Sequence, residues 1–500
     1  MRTRKTNILF AASECVPFIK TGGLADVAGS LPKYFNKKKY DVRVMLPKYA
    51  CIPEKYRSEM KEIARFVTGF NFRDLSVGVE ELILNEVHFY FISNDFFFSG
   101  SWPYGTVYDD IEKFAFYSKM VLSALKQIDW KPDILHCHDW QTALVPVYLN
   151  DSFQGDLYFH NMKTVFTIHN LKFQGTWDVK TVMAKTGLSE YYFTPDKLEA
   201  WNNGNMLKGG LVYSDRVTTV SETYAKEIQT PYYGEGLDGL LRALSGSLTG
   251  IVNGIDTDFY NPETDSAIPV NYGIQDAVTK KAENKLMLQK KLGLKEDPDA
   301  FLVGIVSRLT DQKGFDLVDC VMSDLVNTGA QFVILGTGEA RYENMFRYYA
   351  SAYPGRVAAE IYYSEPLSHE IYAASDAFLM PSLFEPCGLS QLMALRYGSL
   401  PIVRETGGLK DTVLPYNEYE KTGTGFSFAN YNAHEMLSIV RYAARIFKEH
   451  REDWNDMVIR AMSADFSWNA SARKYEALYD GLMAEKKREE TPKGKKNDEA

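Results

Sequence analysis

The chain has 500 residues and a net charge of −9, and 45% of its residues are apolar. That much apolar material supplies the cores of two large α/β domains. The net negative charge argues against nucleic-acid binding, which requires a basic face. Solubility is the simplest reason for the negative charge. The five scattered cysteines lack any CxxC spacing, so we expect neither disulfides nor a metal framework. No apolar run has the length of a membrane span or of a signal peptide, so we expect a cytoplasmic protein without a membrane partner.

The first predicted strand leads into a glycine-rich turn. Residues 7–12 are typical of a buried strand, and the apolar spacing of residues 24–31 predicts a helix that Gly22 and Gly23 open. The amides of this turn and the ammonium of Lys20 suit a phosphate group. The spacing is not that of a P-loop or of a dinucleotide-binding turn, and the glycine pair could instead allow close helix–strand packing.

Two further strands of the first half end in polar residues. One is followed by Asp139, and the next ends at His169 and Asn170. In open α/β sheets the carboxyl ends of the strands form the edge that binds ligands, so we predict that these residues contact a substrate. The alternative is that they only cap loops by hydrogen bonding. A metal site at His136 and His138 lacks a third ligand at a useful spacing.

The domain boundaries follow from where the strand pattern stops and restarts. Residues 66–93 predict several short strands, and residues 280–292 predict a helix after the polar turn at 253–256. We therefore expect a first Rossmann-like domain over 1–253, a second over 254–467, a helix over 468–486 that crosses back to the first domain, and a disordered charged tail over 487–500.

The second half places cations after its first strand. Arg308 directly follows the predicted strand 301–307, and Lys313 lies five residues further on. Arginine can hold a phosphate by two parallel hydrogen bonds, and lysine acts as a point charge, so this loop is a predicted diphosphate clamp. A surface ion pair is the alternative.

The stretch 384–392 predicts a second anion site. A strand ends before it, the chain turns, and a helix begins, which leaves the amides of Gly388, Leu389 and Ser390 facing outward at the helix start. Glu385 precedes these amides, and a phosphate would repel its carboxylate. Sugar hydroxyls or a developing cation suit Glu385 better. The alternative is an ordinary loop acid beside an ordinary turn.

Two more glycine turns occur in the second half. The turn at 336–338 is a weak candidate for close backbone approach to a ligand, and it is best interpreted as an ordinary tight turn. Thr406-Gly407-Gly408-Leu409 repeats Thr21-Gly22-Gly23-Leu24, which indicates the same strand–turn–helix device in each half. A match this short does not distinguish duplication from chance.

Together these residues predict a nucleotide-sugar site between two facing domains. Lys20, Arg308, Lys313 and the amides of residues 388–390 would meet on one diphosphate. The cations would stabilise the charge that develops when the diphosphate departs. Asp139 and His169, with the acid of the 384–392 stretch, would contact the neutral hydroxyl-rich group beside it. No metal ligands have a usable spacing, so we expect neither a metal nor another cofactor.

Five motifs follow one another along the chain: Lys20–Val27, His138–Trp140, Thr167–Asn170, Ser307–Gly314 and Phe384–Leu389. In sequence and in order they resemble the motifs of the bacterial glycogen synthase and plant starch synthase family, and the similarity runs from about residue 7 to residue 479. The resemblance implies two doubly wound α/β domains of the GT-B type. It also implies glycogen biosynthesis by a retaining glycosyltransferase that moves glucose from ADP-glucose to the non-reducing end of an α-1,4-glucan.

The resemblance also implies residue roles. Lys20 resembles the donor-binding lysine, Arg308 and Lys313 the diphosphate clamp, and Glu385 the carboxylate at the donor sugar. Asp139 and His169 resemble residues that line the glucose site, and Asn205 resembles an acceptor-side asparagine. Tyr363 is similar to an aromatic near the adenine, and Ser390 to a small hydroxyl residue that meets phosphate. Met393 stands where the wider superfamily often has a second glutamate, which favours single-carboxylate chemistry.

Two other functions fit the same outline. A glucan phosphorylase has a related two-domain plan, but it would need pyridoxal phosphate on a lysine. A non-catalytic glucan-binding protein would bind glucan without releasing ADP, and the number of cations argues against it. Adenine is preferred over uracil only because of the resemblance.

Overall fold

The computed structural model describes residues 4–490, with side chains up to residue 488. The chain forms two compact units. Unit 1 contains the chain up to Val220, Ile228–Ile251 and the segment from Trp468, and unit 2 contains Ser221–Glu227 and Val252–Ser467. Within residues 4–490, no helix combines the length and the apolarity that crossing a bilayer requires.

Unit 1 has a nine-stranded sheet in the order β12-β11-β7-β6-β1-β2-β5-β4-β3 and a small sheet in the order β8-β10-β9. Its strands are β1 (Thr6–Ala11), β2 (Tyr40–Pro47), β3 (Lys61–Phe70), β4 (Arg73–Leu84), β5 (Val87–Ser93), β6 (Ile134–His138), β7 (Lys163–Ile168), β8 (Thr176–Asp178), β9 (Glu199–Ala200), β10 (Asn203–Asn205), β11 (Arg216–Thr219) and β12 (Leu248–Gly250). The helices in this part of the chain are α1 (Gly23–Ser30), α2 (Glu54–Arg57), α3 (Asp95–Phe98), α4 (Val107–Leu125), α5 (Leu144–Asp151), α6 (Val179–Thr186), α7 (Met206–Tyr213), α8 (Glu222–Glu227) and α9 (Asp238–Ala243). Of these, α8 belongs to unit 2.

The large sheet is parallel from β12 to β5 and antiparallel from β5 to β3. The central strands are buried on both faces, which explains their continuous apolar sequences. The prediction of several short strands over 66–93 was wrong in length, because β3, β4 and β5 are long. Two-residue turns at Asn71-Phe72 and Asn85-Glu86, with positive φ at all four residues, join them as hairpins.

Unit 2 has a six-stranded, wholly parallel sheet in the order β15-β14-β13-β16-β17-β18. Its strands are β13 (Leu302–Val306), β14 (Gln331–Leu335), β15 (Val357–Glu360), β16 (Ala377–Met380), β17 (Leu400–Arg404) and β18 (Phe426–Phe428). The helices that follow α9 are α10 (Ala277–Lys291), α11 (Phe315–Asn327), α12 (Ala340–Ala352), α13 (Glu365–Ala374), α14 (Ser390–Arg396), α15 (Gly407–Thr412), α16 (Ala433–Glu449) and α17 (Arg451–Ser463). Short 3₁₀ helices occur at Leu31–Tyr34, Trp140–Thr142, Glu190–Tyr192 and Asp311–Lys313.

The last helix, α18 (Trp468–Glu490), belongs to unit 1. Tyr475, Tyr479 and Leu482 are buried there, and the Tyr479 hydroxyl lies 2.7 Å from Nδ1 of His136. The expectation of disorder from residue 487 was wrong for residues 487–490, which continue the helix because Lys, Arg and Glu are good helix formers. The remainder of the predicted tail, 491–500, lies outside the described residues.

Candidate active site

The glycine turn after β1 encloses a buried carboxylate in unit 1. Glu14 accepts hydrogen bonds from the amide of Thr21, from its hydroxyl at 3.0 Å and from the amide of Gly22 at 3.2 Å. The helix α1 confirms the prediction that Gly22 and Gly23 open a helix. The amide of Gly22 therefore contacts a carboxylate in this structure, and its phosphate-binding role stays a prediction.

Glu14 is also held from its other side. Its Oε1 accepts from the Tyr104 hydroxyl at 3.1 Å, and that hydroxyl lies 2.9 Å from Oγ of Ser13. Burial raises the pKa of Glu14, although the hydrogen bonds from the turn oppose the shift. Nearby, the ammonium of Lys20 pairs with Asp26 at 2.8 Å, and the Lys20 side chain is 36% exposed.

Asp139 lies where β6 and β7 end side by side. The parallel register pairs His138 with Thr167, which brings Asp139 Oδ1 to the His169 amide at 2.7 Å and the Asn170 amide at 3.4 Å. Asp139 has a φ of 57°, an unfavourable conformation for a non-glycine residue that often marks functional sites. Burial, strengthened by the nearby negative charge of Glu14, raises its pKa to about 7. The predicted proximity of Asp139, His169 and Asn170 is therefore confirmed.

Three buried histidines lie beneath this edge of the sheet. Nδ1 of His138 is 3.0 Å from Nε2 of His169, and the rings of His136 and His138 stack at 4.3 Å. Burial lowers the pKa of all three, that of His169 to about 3, so they are neutral at pH 7. Both nitrogens of His136 have hydrogen-bonding neighbours, Tyr479 and Thr167, which argues against the metal alternative.

In unit 2, Lys313 and Glu385 form a buried ion pair. Nζ of Lys313 lies 2.6 Å from Oε2 of Glu385, which also accepts from the Ser382 hydroxyl at 3.0 Å. Glu385 Oε1 makes no hydrogen bond to any residue that the structure describes. Lys313 closes a short 3₁₀ helix before Gly314, whose left-handed backbone and contact with the Pro381 carbonyl leave no room for a Cβ. This turn directs the Lys313 side chain toward the loop after β16, which carries Glu385.

Arg308 lies on the same loop but has a different environment. Its side chain is exposed, and it forms no ion pair with a residue in the described part of the chain. The loop is fixed at its base because Leu309 bridges to Gly338, where a Cβ would approach the Leu309 carbonyl to 2.3 Å. The glycine turn at 336–338 thus serves close packing of two loops.

The turn after Glu385 is built around a left-handed glycine. Gly388 has a φ of 73°, and a Cβ there would lie 2.4 Å from Oε1 of Gln391. Leu389 occupies the N-cap position of α14, which begins at Ser390 and has seven residues. The structure confirms the predicted turn and helix start, and no side chain of the described residues caps this helix. That the amides face outward and bind phosphate stays a prediction.

The second Thr-Gly-Gly turn supports the loop that carries Glu385. The amide of Gly408 donates to the carbonyls of Glu385 and Pro386, both at 3.2 Å. The short helix α8 closes over this turn: both carboxylate oxygens of Glu227 lie 3.1 Å from the Gly407 amide, and Ser221 donates to the Pro386 carbonyl at 2.6 Å. Unit 2 therefore holds Glu385 from two sides.

Comparisons with known proteins agree with this architecture. A starch synthase catalytic domain model matches residues 7–243, and a model of group 1 glycosyl transferases matches residues 288–457. A glycogen synthase of Lachnospira eligens is 64% identical over 476 residues, which are 95% of this chain and the whole of that protein. The chain belongs to the glycogen synthase family.

Solved structures of this and related families share the fold. The catalytic domain of starch synthase IV from Arabidopsis thaliana, bound to ADP and acarbose, matches with a TM-score of 0.88 and 34% identity over 96% of this chain and all of that one. A sucrose-phosphate synthase of Thermosynechococcus elongatus matches at 0.61 and 16% identity over the same shares, which supports the fold alone. The chain thus has the predicted GT-B fold and, as a glycogen synthase family member, transfers glucosyl units in glycogen synthesis.

Two further residues with roles implied by the family resemblance are Asn205 and Tyr363. Asn205 caps α7, since its Oδ1 accepts from the Lys208 amide at 2.9 Å and its Nδ2 donates to Gln174. The structure thus shows a capping role for Asn205, and its acceptor-side role stays a prediction. Tyr363 is 76% exposed, and its adenine contact also stays a prediction.

Sequence reasoning missed three polar residues. Glu14 and Glu227 hold the two glycine turns, and Asn253 is 5% exposed with an Oδ1 that has no hydrogen-bond partner among the described residues. The rule that strand ends carry functional residues could have identified Glu14, which follows β1 by three positions. Asn253 lies in the turn that sequence analysis used only as a domain boundary.

Proposed function

We propose that this member of the glycogen synthase family uses ADP-glucose as its donor and extends the non-reducing end of an α-1,4-glucan with retention of the anomeric configuration. The relative solved with ADP and acarbose, at 34% identity, supports this choice of donor and acceptor class. Lys20, Arg308 and Lys313 are the proposed diphosphate contacts, and Tyr363 is the proposed adenine contact.

The ion pair between Lys313 and Glu385 is the observation that carries the proposal. An ammonium has three donors, and the hydrogen bond to Glu385 uses one of them, so the others can reach a phosphate oxygen. Glu385 in turn keeps Oε1 for the sugar hydroxyls. The pair therefore couples the two parts of a nucleotide sugar, with the cation toward the diphosphate and the carboxylate toward the hexose.

In the proposed reaction, the bond between the anomeric carbon and the phosphate oxygen breaks, and its electron pair goes to the diphosphate. The 4-hydroxyl oxygen of the acceptor bonds to the anomeric carbon on the same face of the sugar. The hydroxyl proton passes to the departing phosphate oxygen, so the products are ADP and a glucan longer by one glucose. Arg308 and Lys313 stabilise the charge that develops on the diphosphate.

The residues of unit 1 would orient the sugar. Asp139 holds the turn at His169 and Asn170 through their amides, so the backbone at this strand end has a fixed position. We assign to Asp139 and His169 the hydroxyl contacts of the glucose.

Turnover with ADP-glucose and with UDP-glucose tests the donor, and release of the added glucose by an exo-acting amylase tests the chain end. Lys313→Ala and Arg308→Ala should each lower kcat by about 10²–10³, because each removes one transition-state contact. Arg441→Ala is the matched control, since Arg441 is an exposed arginine of the same unit that pairs with Asp324. Unchanged turnover in both clamp variants would contradict the proposal.

The two alternative functions make different predictions in the same assay. A phosphorylase would release glucose phosphate and absorb as pyridoxal phosphate, and a non-catalytic binder would release no ADP. The family assignment favours the synthase over both.

A further inference from the structure

A buried arginine of unit 2 lies beside the loop that carries Glu385. Arg404 is the last residue of β17 and is 5% exposed. Its Nε donates to the Ser382 carbonyl at 2.8 Å, one terminal nitrogen donates to the Leu383 carbonyl, and the other lies 3.4 Å from the Ala429 carbonyl. Because β17 lies between β16 and β18, this one guanidinium joins the chain at the ends of three neighbouring strands.

Stability alone does not explain a charged side chain at this position. Burial of a charge carries a large desolvation cost, and the exchange of buried charges for apolar side chains is often neutral or stabilising. The three carbonyls need donors, but a neutral donor would supply them at a lower cost. What arginine adds is geometry, because its planar guanidinium holds several donors in fixed directions. The position of the loop therefore depends on the shape of the Arg404 side chain.

The contacts of Arg404 lead to the Glu385 carboxylate. The Ser382 hydroxyl donates to Oε2 of Glu385 at 3.0 Å, and Arg404 holds the carbonyl of the same serine. The chain bends at the next residue, Leu383, whose carbonyl also accepts from Arg404. At the far end of the loop, the Gly408 amide donates to the Glu385 carbonyl at 3.2 Å. The loop is thus held at both ends, and Arg404 holds its start.

We propose that Arg404 is a positioning residue for glucosyl transfer, which fixes the loop so that Glu385 keeps Oε2 on Lys313 and offers Oε1 to the hexose. Nζ of Lys313 lies 2.6 Å from Oε2, so a small shift of the loop would break this pair or turn the other oxygen toward the lysine. A misplacement of about 1 Å can cost about a hundredfold in rate. The inference rests on the proposed role of Glu385 at the donor sugar, and Arg404 itself acts only through that residue.

Arg404→Lys in the full-length enzyme is the first test. Lysine keeps the positive charge but replaces the planar fork by a point charge, so kcat should fall by about 10-fold to 100-fold. The affinity for ADP, measured by calorimetric titration, should stay within about twofold, because ADP lacks the hexose that Glu385 would contact. Arg460→Lys is the matched control and should keep the wild-type kcat, since Arg460 also donates to a loop carbonyl of unit 2, that of Gly423 at 2.9 Å.

A double-mutant cycle with Glu385→Gln separates positioning from a purely structural role. If Arg404 acts through Glu385, Arg404→Lys should lower kcat by less than about twofold once Glu385→Gln is present. A purely structural role would lower kcat by the same factor in both backgrounds. That result, or an unchanged kcat in Arg404→Lys alone, would overturn the inference and leave the proposed function intact. Unchanged turnover in Glu385→Gln would overturn the inference together with the proposed role of Glu385.

Tyr431→Leu takes the place of Arg404→Lys in the cycle if the lysine variant does not fold. The Arg404 guanidinium lies 5.8 Å from the centre of the Tyr431 ring, so leucine removes a support of the guanidinium but none of its donors. The kcat of Tyr431→Leu should fall by about threefold, and this loss should disappear in the Glu385→Gln background. A wild-type kcat, or an equal loss in both backgrounds, would then overturn the inference.

Discussion

The two Thr-Gly-Gly-Leu turns have the same sequence and the same carboxylate partner type, yet their glycines meet different surroundings. In unit 1, Glu14 accepts from Thr21 and Gly22. In unit 2, Glu227 accepts from the equivalent Thr406 and Gly407. Each turn opens a helix, so each carboxylate also lies at the positive end of a helix dipole.

The difference lies in the space around the glycines. A Cβ at Gly22 would have Glu14 Oε1 at 4.0 Å as its nearest neighbour, whereas a Cβ at Gly407 would lie 1.9 Å from the Glu385 carbonyl. Gly407 also has a φ of 43°, and Gly22 is extended. The second turn therefore needs glycine to pack against the backbone of the loop that carries Glu385. The first keeps open space, which suits the close approach of a ligand.

The largest expected effect is that of Gly407→Ala. The methyl group would collide with the Glu385 carbonyl, and the left-handed backbone would be strained, so unfolding of unit 2 should become easier by about 2–3 kcal/mol. Turnover should fall as well, because the collision displaces Glu385. The midpoint of urea unfolding and kcat measure the two effects.

Gly22→Ala is the matched variant for that experiment. Its unfolding midpoint should shift by less than a third of the shift in Gly407→Ala, since the added methyl group has room and the backbone is extended. Equal destabilisation by the two variants would show that the open space at Gly22 has no significance.

A second expected effect of Gly22→Ala concerns the donor. If the open space admits the diphosphate, a methyl group there should raise KM for the nucleotide sugar by about tenfold, the equivalent of about 1.4 kcal/mol. The acceptor KM should not change. An unaltered donor KM would remove Gly22 from the proposed site.

The sequence revealed both turns but not what distinguishes them. Strand ends, helix starts and the order of the motifs are local patterns, and so α1 and the loop polar residues Asp139 and His169 could be predicted. The partner of Gly407 could not, because Glu227 lies 180 residues away in the chain. The same limit applies to the Lys313–Glu385 pair, which joins residues 72 positions apart. Prediction from sequence placed both near phosphate and sugar but did not pair them.

A smaller effect is expected from Glu14→Gln. The carboxylate of Glu14 lies on the amides that a phosphate would otherwise use, so neutralising it should tighten ADP binding by about threefold to tenfold. Glu227→Gln should not change ADP binding, because Gly407 packs against the loop that carries Glu385 and leaves no space for a ligand. Calorimetric titration with ADP compares the two variants, and equal affinities in both would contradict the functional distinction between the turns.

The smallest effect is a pH dependence confined to unit 1. Burial raises the pKa of Asp139 from its ordinary 3.8 to about 7, so the folded chain binds this proton more tightly than the unfolded chain does. The contribution of Asp139 to stability is therefore complete below pH 3.8 and is lost as the pH rises to about 7. Asp139→Asn should lessen the fall in melting temperature of unit 1 between pH 5 and pH 7.5, whereas Arg341→Ala, in unit 2, should leave that fall unchanged. An identical slope in wild type and Asp139→Asn would mean that the carboxyl is already ionised at pH 5, and unit 1 would then keep a full negative charge at the proposed hexose contact between pH 5 and pH 7.5.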